Sequence, residues 1–531
     1  MLSPTNLRQP FITIIIVLFI FTCYSCNKEN KEHISPQPPN IIFILADDLG
    51  YGDISSYNAE GKIKTPNIDR MAAEGMRFTD AHSSSAVCTP TRYGILTGRY
   101  NWRSRLKSGV LTGNSKALIP NKRKTVAKML QENNYNTAFI GKWHLGWDWA
   151  LKDTSLDNGS GWNPKDFDNL DFSKPISNGP KGIGFDYSYG HAGSLDMAPY
   201  VYVENGIPTA VPTAITVDTG KYSWWREGPT SDDFVHEDVT PNFFRRSIKY
   251  ISAQSKKEKP FFLYLALPSP HTPILPTKEW QGKSELNDYA DFTMMIDDYI
   301  GQLESVISES GIEDNTLIIF TSDNGCSPAA GFAEMVENGH MPSREFRGHK
   351  ADIFEGGHRV PYIVKWPQKI SKGSLSNKTI CLNDFFATCA DIVNYPIADS
   401  EAEDSHSILS LLTNSNNEKE YSRDATIHHS IDGSFAIRKD EWKLIMAPSS
   451  GGWSAPTPKQ AKELVDLPTV QLYNLIDDPG EKENLLAKQP AMAEILQALL
   501  TSQIINGRST EGPHQSNDEI DGEWNQISFM K

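Results

Sequence analysis

Two pairs of oxygen-bearing side chains follow short apolar runs in this chain. Asp47 and Asp48 come directly after NIIFILA at 40–46, and Asp323 and Asn324 come just after TLIIFT at 316–321. Carboxylate and amide oxygens are the ligands that Ca²⁺ and Mg²⁺ prefer, whereas His and Cys suit zinc. Each pair alone is also compatible with an Asx turn or a helix N-cap. Their occurrence after two separate strand-like runs favours a metal site.

Basic residues follow two further apolar runs. Lys142 and His144 come just after NTAFI at 136–140, and His271 comes shortly after FFLYLAL at 261–267. A lysine and a cation beside acidic ligands suit an anionic substrate, such as a phosphoryl or sulfuryl oxyanion. One histidine at a strand end is otherwise a common partner for a loop carbonyl. The occurrence of acidic, amide and basic side chains after several predicted strands predicts a catalytic site.

A cysteine precedes a helical pattern in SAVCTPTRYGILTGR at 85–99. Pro90 suits the first turn of a helix, which places Cys88 at a helix N-terminus, where the dipole favours negative charge. Arg92 lies one turn farther along and faces the same way. A phosphatase-type thiolate normally has more residues before its arginine than the three found here. A buried, inert thiol is therefore the alternative interpretation.

Strands and helices in alternation must position these residues. The predicted strands are nearly continuously apolar, as in a sheet covered on both faces, and span 40–46, 136–140, 261–267, 316–321 and 360–365. Predicted helices begin at Thr65-Pro66 and at Thr125, and two more cover 242–253 and 285–308. The pattern predicts an α/β fold with a large, mostly parallel sheet between helices. In such sheets the ligand crevice lies beyond the carboxyl ends of the strands.

Composition changes divide the chain further. Residues 151–235 are rich in Gly, Pro, Asn and Asp, which is typical of an insertion that shapes a cleft. From about residue 425 a hairpin, a strand and a closing helix predict a small C-terminal α+β subdomain. We therefore predict a signal peptide at 1–25, a linker at 26–39, a catalytic domain at 40–424, and the subdomain with its tail at 425–531.

The overall composition excludes two classes of protein. The 531 residues include 51 basic and 66 acidic side chains, which gives a net charge of −15 and disfavours nucleic-acid binding. A hydrophobic content of 39% excludes wholesale disorder. Six cysteines in a chain of this length are too few for a disulfide framework.

The N-terminus predicts export. The apolar run at 11–22 is too short to span a bilayer and has the length of a signal-peptide core. Ser25 before Cys26 is similar to a bacterial lipobox, which predicts lipidation of Cys26 and a periplasmic or cell-surface protein anchored to the outer membrane. Cys23 is unusual at its position in that pattern. Plain secretion and an uncleaved anchor helix therefore remain open.

The segment around Cys88 also resembles a known family signature. CTPTR at 88–92 followed by LTGR at 96–99 resembles the C-x-P-x-R…L-T-G-R signature of the type I sulfatases, in the alkaline phosphatase superfamily. Further segments match in order: NIIFILADDLGYGD, TPNIDRMAAEGMRFTDAH, GKWHLG, SPHTP, TSDNG, GHKADIFEGGHRVP and LYNLIDDPGEKENL. The resemblance covers roughly residues 39–490, and no core catalytic position departs from the pattern.

The resemblance implies two groups that the chain acquires. Cys88 would be oxidised to Cα-formylglycine by a separate formylglycine-generating maturation enzyme, and one hydroxyl of the hydrated aldehyde would attack sulfur. The second hydroxyl would later allow sulfate to leave. One Ca²⁺ ion would be bound by Asp47, Asp48, residue 88, Asp323 and Asn324.

The resemblance also implies roles for five basic residues. Arg92 would stabilise the nucleophile and the carboxylates, while Lys142 and Lys350 would bracket the sulfate oxygens. His271 would protonate the leaving alcohol, and His144 would take the proton that releases sulfate. Lys350 is assigned through the K-x-x-x-F-E-G-G pattern at 350–357.

The irregular segment carries the candidates for substrate selectivity. GFDYSYGHAGSLDMAPYVYVENG resembles the corresponding loop of galactosamine-6-sulfatase-like members, which act on sulfated carbohydrates. The candidate contacts are His191, Ser194, Asp196 and His236, with Trp224 and Trp225 as sugar-stacking platforms. The alternative for each is a purely structural role, because long loops need hydrogen bonds and aromatic anchors of their own.

The resulting hypothesis is an exported sulfatase for a sulfated polysaccharide or oligosaccharide, such as an algal polysaccharide or a glycosaminoglycan. Its expected partners are that carbohydrate and the maturation enzyme, with no nucleic acid and no membrane contact beyond the lipid anchor. Two alternatives remain: a phosphoester hydrolase of the same superfamily, and a catalytically silent surface glycan-binding protein.

Overall fold

The computed structural model of the protein describes Met1 and residues 37–156, 161–413, 421–520 and 522–530. The predicted signal peptide and the predicted lipidation site at Cys26 lie outside these residues. Pro38–Lys531 form one compact unit. In the described part of the chain, no helix combines the length and the apolar character needed to cross a bilayer.

The strands are short, apart from those that carry the predicted site. In chain order they are β1 (Asn40–Asp47), β2 (Met76–Phe78), β3 (Ala81–His82), β4 (Asn136–Lys142), β5 (Tyr187–His191), β6 (Val203–Glu204), β7 (Ile207–Pro208), β8 (Ala214–Asp218), β9 (Trp225–Thr230), β10 (Phe261–Pro270), β11 (Thr316–Ser322), β12 (Tyr362–Lys365), β13 (Ser374–Ser376), β14 (Ile380–Cys381), β15 (Thr426–His429), β16 (Phe435–Lys439), β17 (Trp442–Ile445) and β18 (Gln471–Asn474).

The helices alternate with the long strands. They are α1 (Pro66–Glu74), α2 (Cys88–Thr97), α3 (Val126–Glu132), α4 (Val239–Gln254), α5 (Asp288–Glu309), α6 (Phe332–Glu337), α7 (Glu355–His358), α8 (Phe385–Ile392), α9 (Leu409–Thr413), α10 (Pro458–Glu463) and α11 (Pro490–Ile505). The predicted starts at Thr65-Pro66 and Thr125 are confirmed, since Pro66 is the first residue of α1 and the Thr125 side chain caps α3.

A ten-stranded mixed sheet forms the centre of the fold, in the order β13-β2-β12-β11-β1-β10-β4-β5-β6-β7. Its middle is parallel: β1 lies between β10 and β11, and β4 and β5 continue beyond β10 in the same direction. β12 runs antiparallel to β11. The predicted α/β class with a large, mostly parallel sheet is confirmed.

The parallel strands are apolar throughout because both faces of the sheet are covered. Ile41 to Ala46 of β1 have no exposed surface. Phe385 of α8 packs on Phe43 and Phe262, and α4 and α5 contact β10. Burying each large side chain of this kind stabilises the fold by about 1.5–3 kcal/mol, so the strand ends are held on a rigid support.

One local expectation is wrong. The pattern at 379–393 favours a single helix through Cys381 and Cys389, but Cys381 ends β14 and Cys389 lies in α8. The backbone N–H of Cys381 donates to the Asp384 carboxylate at 2.8 Å, which caps a short turn instead of extending the helix. The cysteines in the described residues are free thiols, and all of them are buried.

A separate four-stranded antiparallel sheet, β15-β16-β17-β18, lies near the C-terminus and includes the predicted hairpin. Its first strand supports two segments of the site. The carbonyl of His429 accepts hydrogen bonds from the N–H of Ala86 and the hydroxyl of Ser85. Ala351 in turn donates its N–H to Ala86 and accepts one from Ile431. The domain bounds at 424 and 425 stay a prediction.

Candidate active site

The candidate catalytic residues lie at the carboxyl ends of four neighbouring parallel strands. Asp47 ends β1, Lys142 ends β4, Asp323 follows β11 and His271 follows β10. Because β4, β10, β1 and β11 are adjacent, these ends meet at one edge of the sheet. Asp48 turns the chain out of β1 with a φ of +63°. The sheet therefore brings together the metal and catalytic residues that the sequence predicts there.

Arg92 lies at the centre of a buried carboxylate cluster. Its Nε and Nη2 donate to Oδ2 of Asp323 at 3.1 and 2.9 Å, and Nη2 also donates to Oδ2 of Asp47 at 3.1 Å. Nη1 donates to the carbonyl of Lys142 at 2.9 Å. Burial lowers the pKa of Arg92, but Asp323 and Asp47 outweigh it and raise that pKa overall. The arginine is thus a fixed positive charge that orients two carboxylates.

The donor set of this cluster fits a hard divalent cation. Oδ1 of Asp47 and Oδ1 of Asn324 are buried and have no hydrogen-bond partner within the described part of the chain. Ligand atoms of Asp47, Cys88 and Asp323 lie within 4.8 Å of one another. Burial together with Asp47 raises the pKa of Asp323 in this cluster. Buried oxygens without partners beside crowded carboxylates are the environment that Ca²⁺ or Mg²⁺ requires.

Two lysines flank the carboxylates. Lys142 Nζ donates to Oδ2 of Asp47 and to the Ser194 hydroxyl, the latter at 3.0 Å. Lys350 Nζ donates to Oδ2 of Asp48 at 2.7 Å. Burial lowers the pKa of Lys350, but Asp48 and the other anionic groups raise it overall. Both ammonium groups are therefore available to hold the oxygens of an anion.

The backbone fixes the tautomer of each catalytic histidine. His144 Nε2 lies 2.8 Å from the carbonyl of Leu111 and must donate its proton there, which leaves buried Nδ1 as a free acceptor. His271 Nδ1 contacts the carbonyl of Thr272, and its Nε2 lies 3.5 Å from Oδ2 of Asp48. Burial lowers the pKa of both rings. His144 is thus neutral and suited to accept a proton, and His271 presents Nε2 to the cluster.

Cys88 is the first residue of α2, as the sequence predicts. Only 2% of its surface is exposed. Burial raises the pKa of its thiol to about 11, although Lys142 and Lys350 lower it. An unmodified Cys88 is therefore protonated at neutral pH, which argues against a thiolate nucleophile.

The predicted substrate contacts fall into two groups. Ser194 joins the catalytic residues, with its hydroxyl 3.4 Å from His271 Nδ1. His191 is paired with Lys142 across β4 and β5. Nε2 of His191, Nε2 of His236 and Oδ1 of Asp196 are buried, and no described residue is a hydrogen-bond partner for any of them. Burial lowers the pKa of His191 and of His236 to about 3, so both rings are neutral.

The two tryptophans differ in their surroundings. Trp225 stacks on His236 with ring centroids 3.9 Å apart, and its indole N–H donates to Thr216. Trp224 is half-buried and lies 5.2 Å from the guanidinium of Arg226. Trp225 is therefore held by His236 and Thr216, whereas Trp224 lies beside a charged residue that the sequence analysis did not single out.

Comparisons with known proteins agree with this geometry. Residues 39–395 match the family model described as Sulfatase. The chain is 33% identical to the N-acetylgalactosamine-6-O-sulfatase of Bacteroides thetaiotaomicron, over 90% of this chain and 94% of that protein. It is 31% identical to the N-acetylgalactosamine-6-sulfatase of Rattus norvegicus, over 67% of this chain and 62% of the rat protein. A solved structure from work on the metabolism of multiple glycosaminoglycans by Bacteroides thetaiotaomicron superposes with a TM-score of 0.74 at 32% identity, covering 88% of this chain and 99% of that one.

Proposed function

The chain belongs to the sulfatase family, and we propose that it hydrolyses the 6-O-sulfate ester of an N-acetylgalactosamine residue with formylglycine at position 88 and one bound Ca²⁺. As a member of that family, with an alkaline phosphatase-like fold, it is a sulfuric ester hydrolase that acts on sulfated carbohydrates. The observation that carries the finer proposal is the convergence of Arg92, Lys142, Lys350, His144 and His271 around the N-terminus of α2.

The residues of the chain bind and orient the sulfate. When present, formylglycine supplies a hydroxyl nucleophile and Ca²⁺ supplies a Lewis acid for a sulfate oxygen. We assign the other sulfate oxygens to Lys142 and Lys350. Their ammonium groups contact Asp47 and Asp48, so both lie beside the carboxylates proposed to hold the cation. Asp47, Asp48, Asp323 and Asn324 would hold the cation. Arg92 keeps two of those carboxylates in place.

Proton transfer is divided between the two histidines. His271 presents Nε2 and donates the proton that the leaving alcohol requires. The negative charge of a bound sulfate ester raises the pKa of this ring and so opposes the effect of burial. His144 accepts a proton at Nδ1, because Leu111 holds the other ring nitrogen as a donor. In each ring a backbone carbonyl accepts the proton of one nitrogen, so His271 donates from Nε2 only in its protonated form, whereas neutral His144 can accept at Nδ1.

The sugar is proposed from the relatives and from the buried polar atoms near Ser194. Both curated relatives compared above are N-acetylgalactosamine-6-sulfatases. Among the described residues, Nε2 of His191, Nε2 of His236 and Oδ1 of Asp196 have no hydrogen-bond partner, and we propose that hydroxyl groups of the bound sugar supply one. Unpaired buried groups of this kind give strong selectivity, because a sugar without the matching hydroxyl leaves them unsatisfied.

Export is the remaining part of the proposal. The N-terminal apolar run and Cys26 support a lipoprotein at the periplasmic side or the surface of the outer membrane. The expected partners are the sulfated carbohydrate and a formylglycine-generating maturation enzyme. Metabolic labelling of the native host with a fatty-acid analogue tests the anchor, with Cys26→Ser as the control. A mature chain that begins at another residue would contradict the lipoprotein proposal.

Mass spectrometry of the peptide that contains Cys88 tests the proposed nucleophile. Conversion to formylglycine makes the peptide about 18 Da lighter than its cysteine form. The same preparation should release sulfate from 6-O-sulfated N-acetylgalactosamine faster than phosphate from the corresponding phosphate ester. An unmodified Cys88 in protein from the native host, without sulfate release, would instead favour the silent glycan-binding alternative.

A further inference from the structure

A charged residue outside the sulfate pocket lies next to the proposed sugar site. Arg226 follows Trp225 in β9, and one of its terminal nitrogens, Nη1, pairs with Oδ2 of Asp196. Asp196 comes two residues after Ser194, whose hydroxyl contacts Lys142. Two residues of chain span at most about 7.6 Å between Cα atoms. The ion pair with Asp196 therefore places Arg226 near Ser194, which contacts one of the lysines proposed to hold the sulfate.

Two indole rings hold this guanidinium. Its central carbon lies 4.5 Å from the centroid of the Trp162 ring and 5.2 Å from that of Trp224. Contacts of this kind are attractive and restrict the planar group to few orientations. Trp162 is 43% exposed, so the rings also offer apolar surface to a ligand. The arrangement is preorganised before any sugar binds.

The hydrogen-bonding capacity of Arg226 is only partly used. Among the described residues, Nη1 contacts Asp196, while Nε and Nη2 have no acceptor. The Arg226 side chain is 35% exposed, whereas that of Asp196 is 4% exposed. Nε and Nη2 thus form an edge of the guanidinium without an acceptor, on a side chain that is partly exposed. Such an edge matches two oxygens of a carboxylate or a sulfate.

We propose that Arg226, with Trp162 and Trp224, binds an acidic group on the sugar next to the one that loses its sulfate. This inference rests on the proposed function and adds a substrate class to it: oligosaccharides whose neighbouring residue carries a carboxylate or a second sulfate. Oδ2 of Asp196 orients Arg226 through their ion pair. The two tryptophans stack against the neighbouring ring.

Four substrates separate the two kinds of acidic group. They are the 6-sulfate of N-acetylgalactosamine alone, its disaccharide with a uronic acid, that disaccharide with the carboxyl group reduced to an alcohol, and the reduced form with a second sulfate on the neighbouring sugar. The value of kcat/KM is measured for each with wild type, Arg226→Gln, Arg226→Lys and Arg245→Gln. Arg245 is an exposed residue of α4 that pairs with Asp238, so its variant controls for the loss of one surface charge.

We expect Arg226→Gln to lower kcat/KM for the acid-bearing disaccharides by about 10-fold to 100-fold, mainly through KM, because a charge-assisted pair is lost. The other two substrates should change less than about threefold, and Arg226→Lys should recover part of the loss. If Arg226→Gln lowers kcat/KM only for the substrate with the carboxylate, the residue binds a carboxylate. If it lowers kcat/KM only for the substrate with the second sulfate, the residue binds a sulfate.

Two results overturn the proposal. An equal loss on all four substrates would mean that Arg226 only holds Asp196 in position, and unchanged kinetics would mean that it contacts no substrate. Both results differ from failure of the proposed function, in which the wild-type protein releases sulfate from none of the four substrates. That result would overturn the proposed function and the role of Arg226 together. Urea denaturation of each variant verifies that it is folded.

Discussion

Replacing Arg92 with methionine removes one buried positive charge but keeps an unbranched apolar stem at this position. The guanidinium makes three hydrogen bonds to the carboxylates of Asp47 and Asp323 and further bonds to the carbonyls of Lys142 and Leu267. Removing one partner of a buried ion pair costs about 3–5 kcal/mol, because the other charge remains desolvated. We expect the free energy of unfolding of Arg92→Met to fall by about that amount in the absence of Ca²⁺.

Calcium should reduce this loss in the free energy of unfolding. The variant leaves the carboxylate cluster more negative, so we expect Ca²⁺ to stabilise it more than it stabilises wild type. A ligand at 100 times its dissociation constant adds about 2.7 kcal/mol to the stability of the folded state. The comparison reports on metal binding without any measurement of activity.

The deficit should also depend on pH. Burial and Asp47 raise the pKa of Asp323 in the folded protein, and the loss of Arg92 raises it further. A carboxyl group whose folded pKa is raised destabilises the folded state at pH values above its unfolded pKa of about 3.9. Both folded proteins lose stability with the same slope until the pH reaches the wild-type folded pKa, so the difference between variant and wild type should stay smallest below that pKa. It should grow as the pH rises from the wild-type folded pKa toward the higher folded pKa of the variant.

Urea denaturation with EDTA or with Ca²⁺, at several pH values, measures these effects. Arg103→Met is the matched control, because Arg103 is equally buried and pairs with Asp404 at 2.8 and 2.9 Å outside the site. We expect the control to lose comparable stability that Ca²⁺ does not restore. If Arg92→Met is as stable as wild type, or if Ca²⁺ affects both variants equally, the proposed role of the cluster is wrong.

Three further outcomes are expected. Cys88→Ser should release alcohol once and retain the mass of one sulfuryl group without turnover, which intact-mass spectrometry detects; full activity in this variant would contradict the proposed nucleophile. His144→Ala should lower kcat by about 10²–10⁴-fold with little change in KM, and a change in KM alone would argue for binding instead of proton transfer. Gly141→Ala should destabilise the fold by more than about 3 kcal/mol in urea denaturation, because the added Cβ would lie 1.8 Å from the carbonyl oxygen of Ala266. Gly109→Ala is its control, since Gly109 also has a positive φ but has no atom within 4 Å of the added Cβ, and equal losses in the two variants would refute the steric argument.

The sequence alone was enough to predict where the central strands end and which residues follow them. Each central strand is a nearly continuous apolar run, as covered parallel strands require, and a charged or titratable residue ends it or follows it within a few positions, as Asp47 does in β1. The position of Cys88 at the start of α2 followed from Pro90, whose fixed φ suits the first turn of a helix.

Other features depend on contacts between distant segments and have no local signal. β12 is antiparallel to β11, but its apolar residues would be buried in either direction. Arg226 contacts Trp162 across 64 positions of an irregular insertion without a repeating apolar pattern. The Trp-Trp-Arg sequence at 224–226 could have indicated the contact between Arg226 and an indole ring, since arginine commonly pairs with indole rings.

The contact between β15 and the segment before Cys88 also has a consequence for biosynthesis. Ser85 and its partner His429 are 344 positions apart, so a ribosome at about 5–20 residues per second needs roughly 17–70 s to add the second after the first. During that time the hydrogen bonds that enclose Cys88 from the C-terminal side do not exist. The late position of β15 would thus leave the cysteine segment accessible to the proposed maturation enzyme during synthesis, and we expect completion of the fold to end that access.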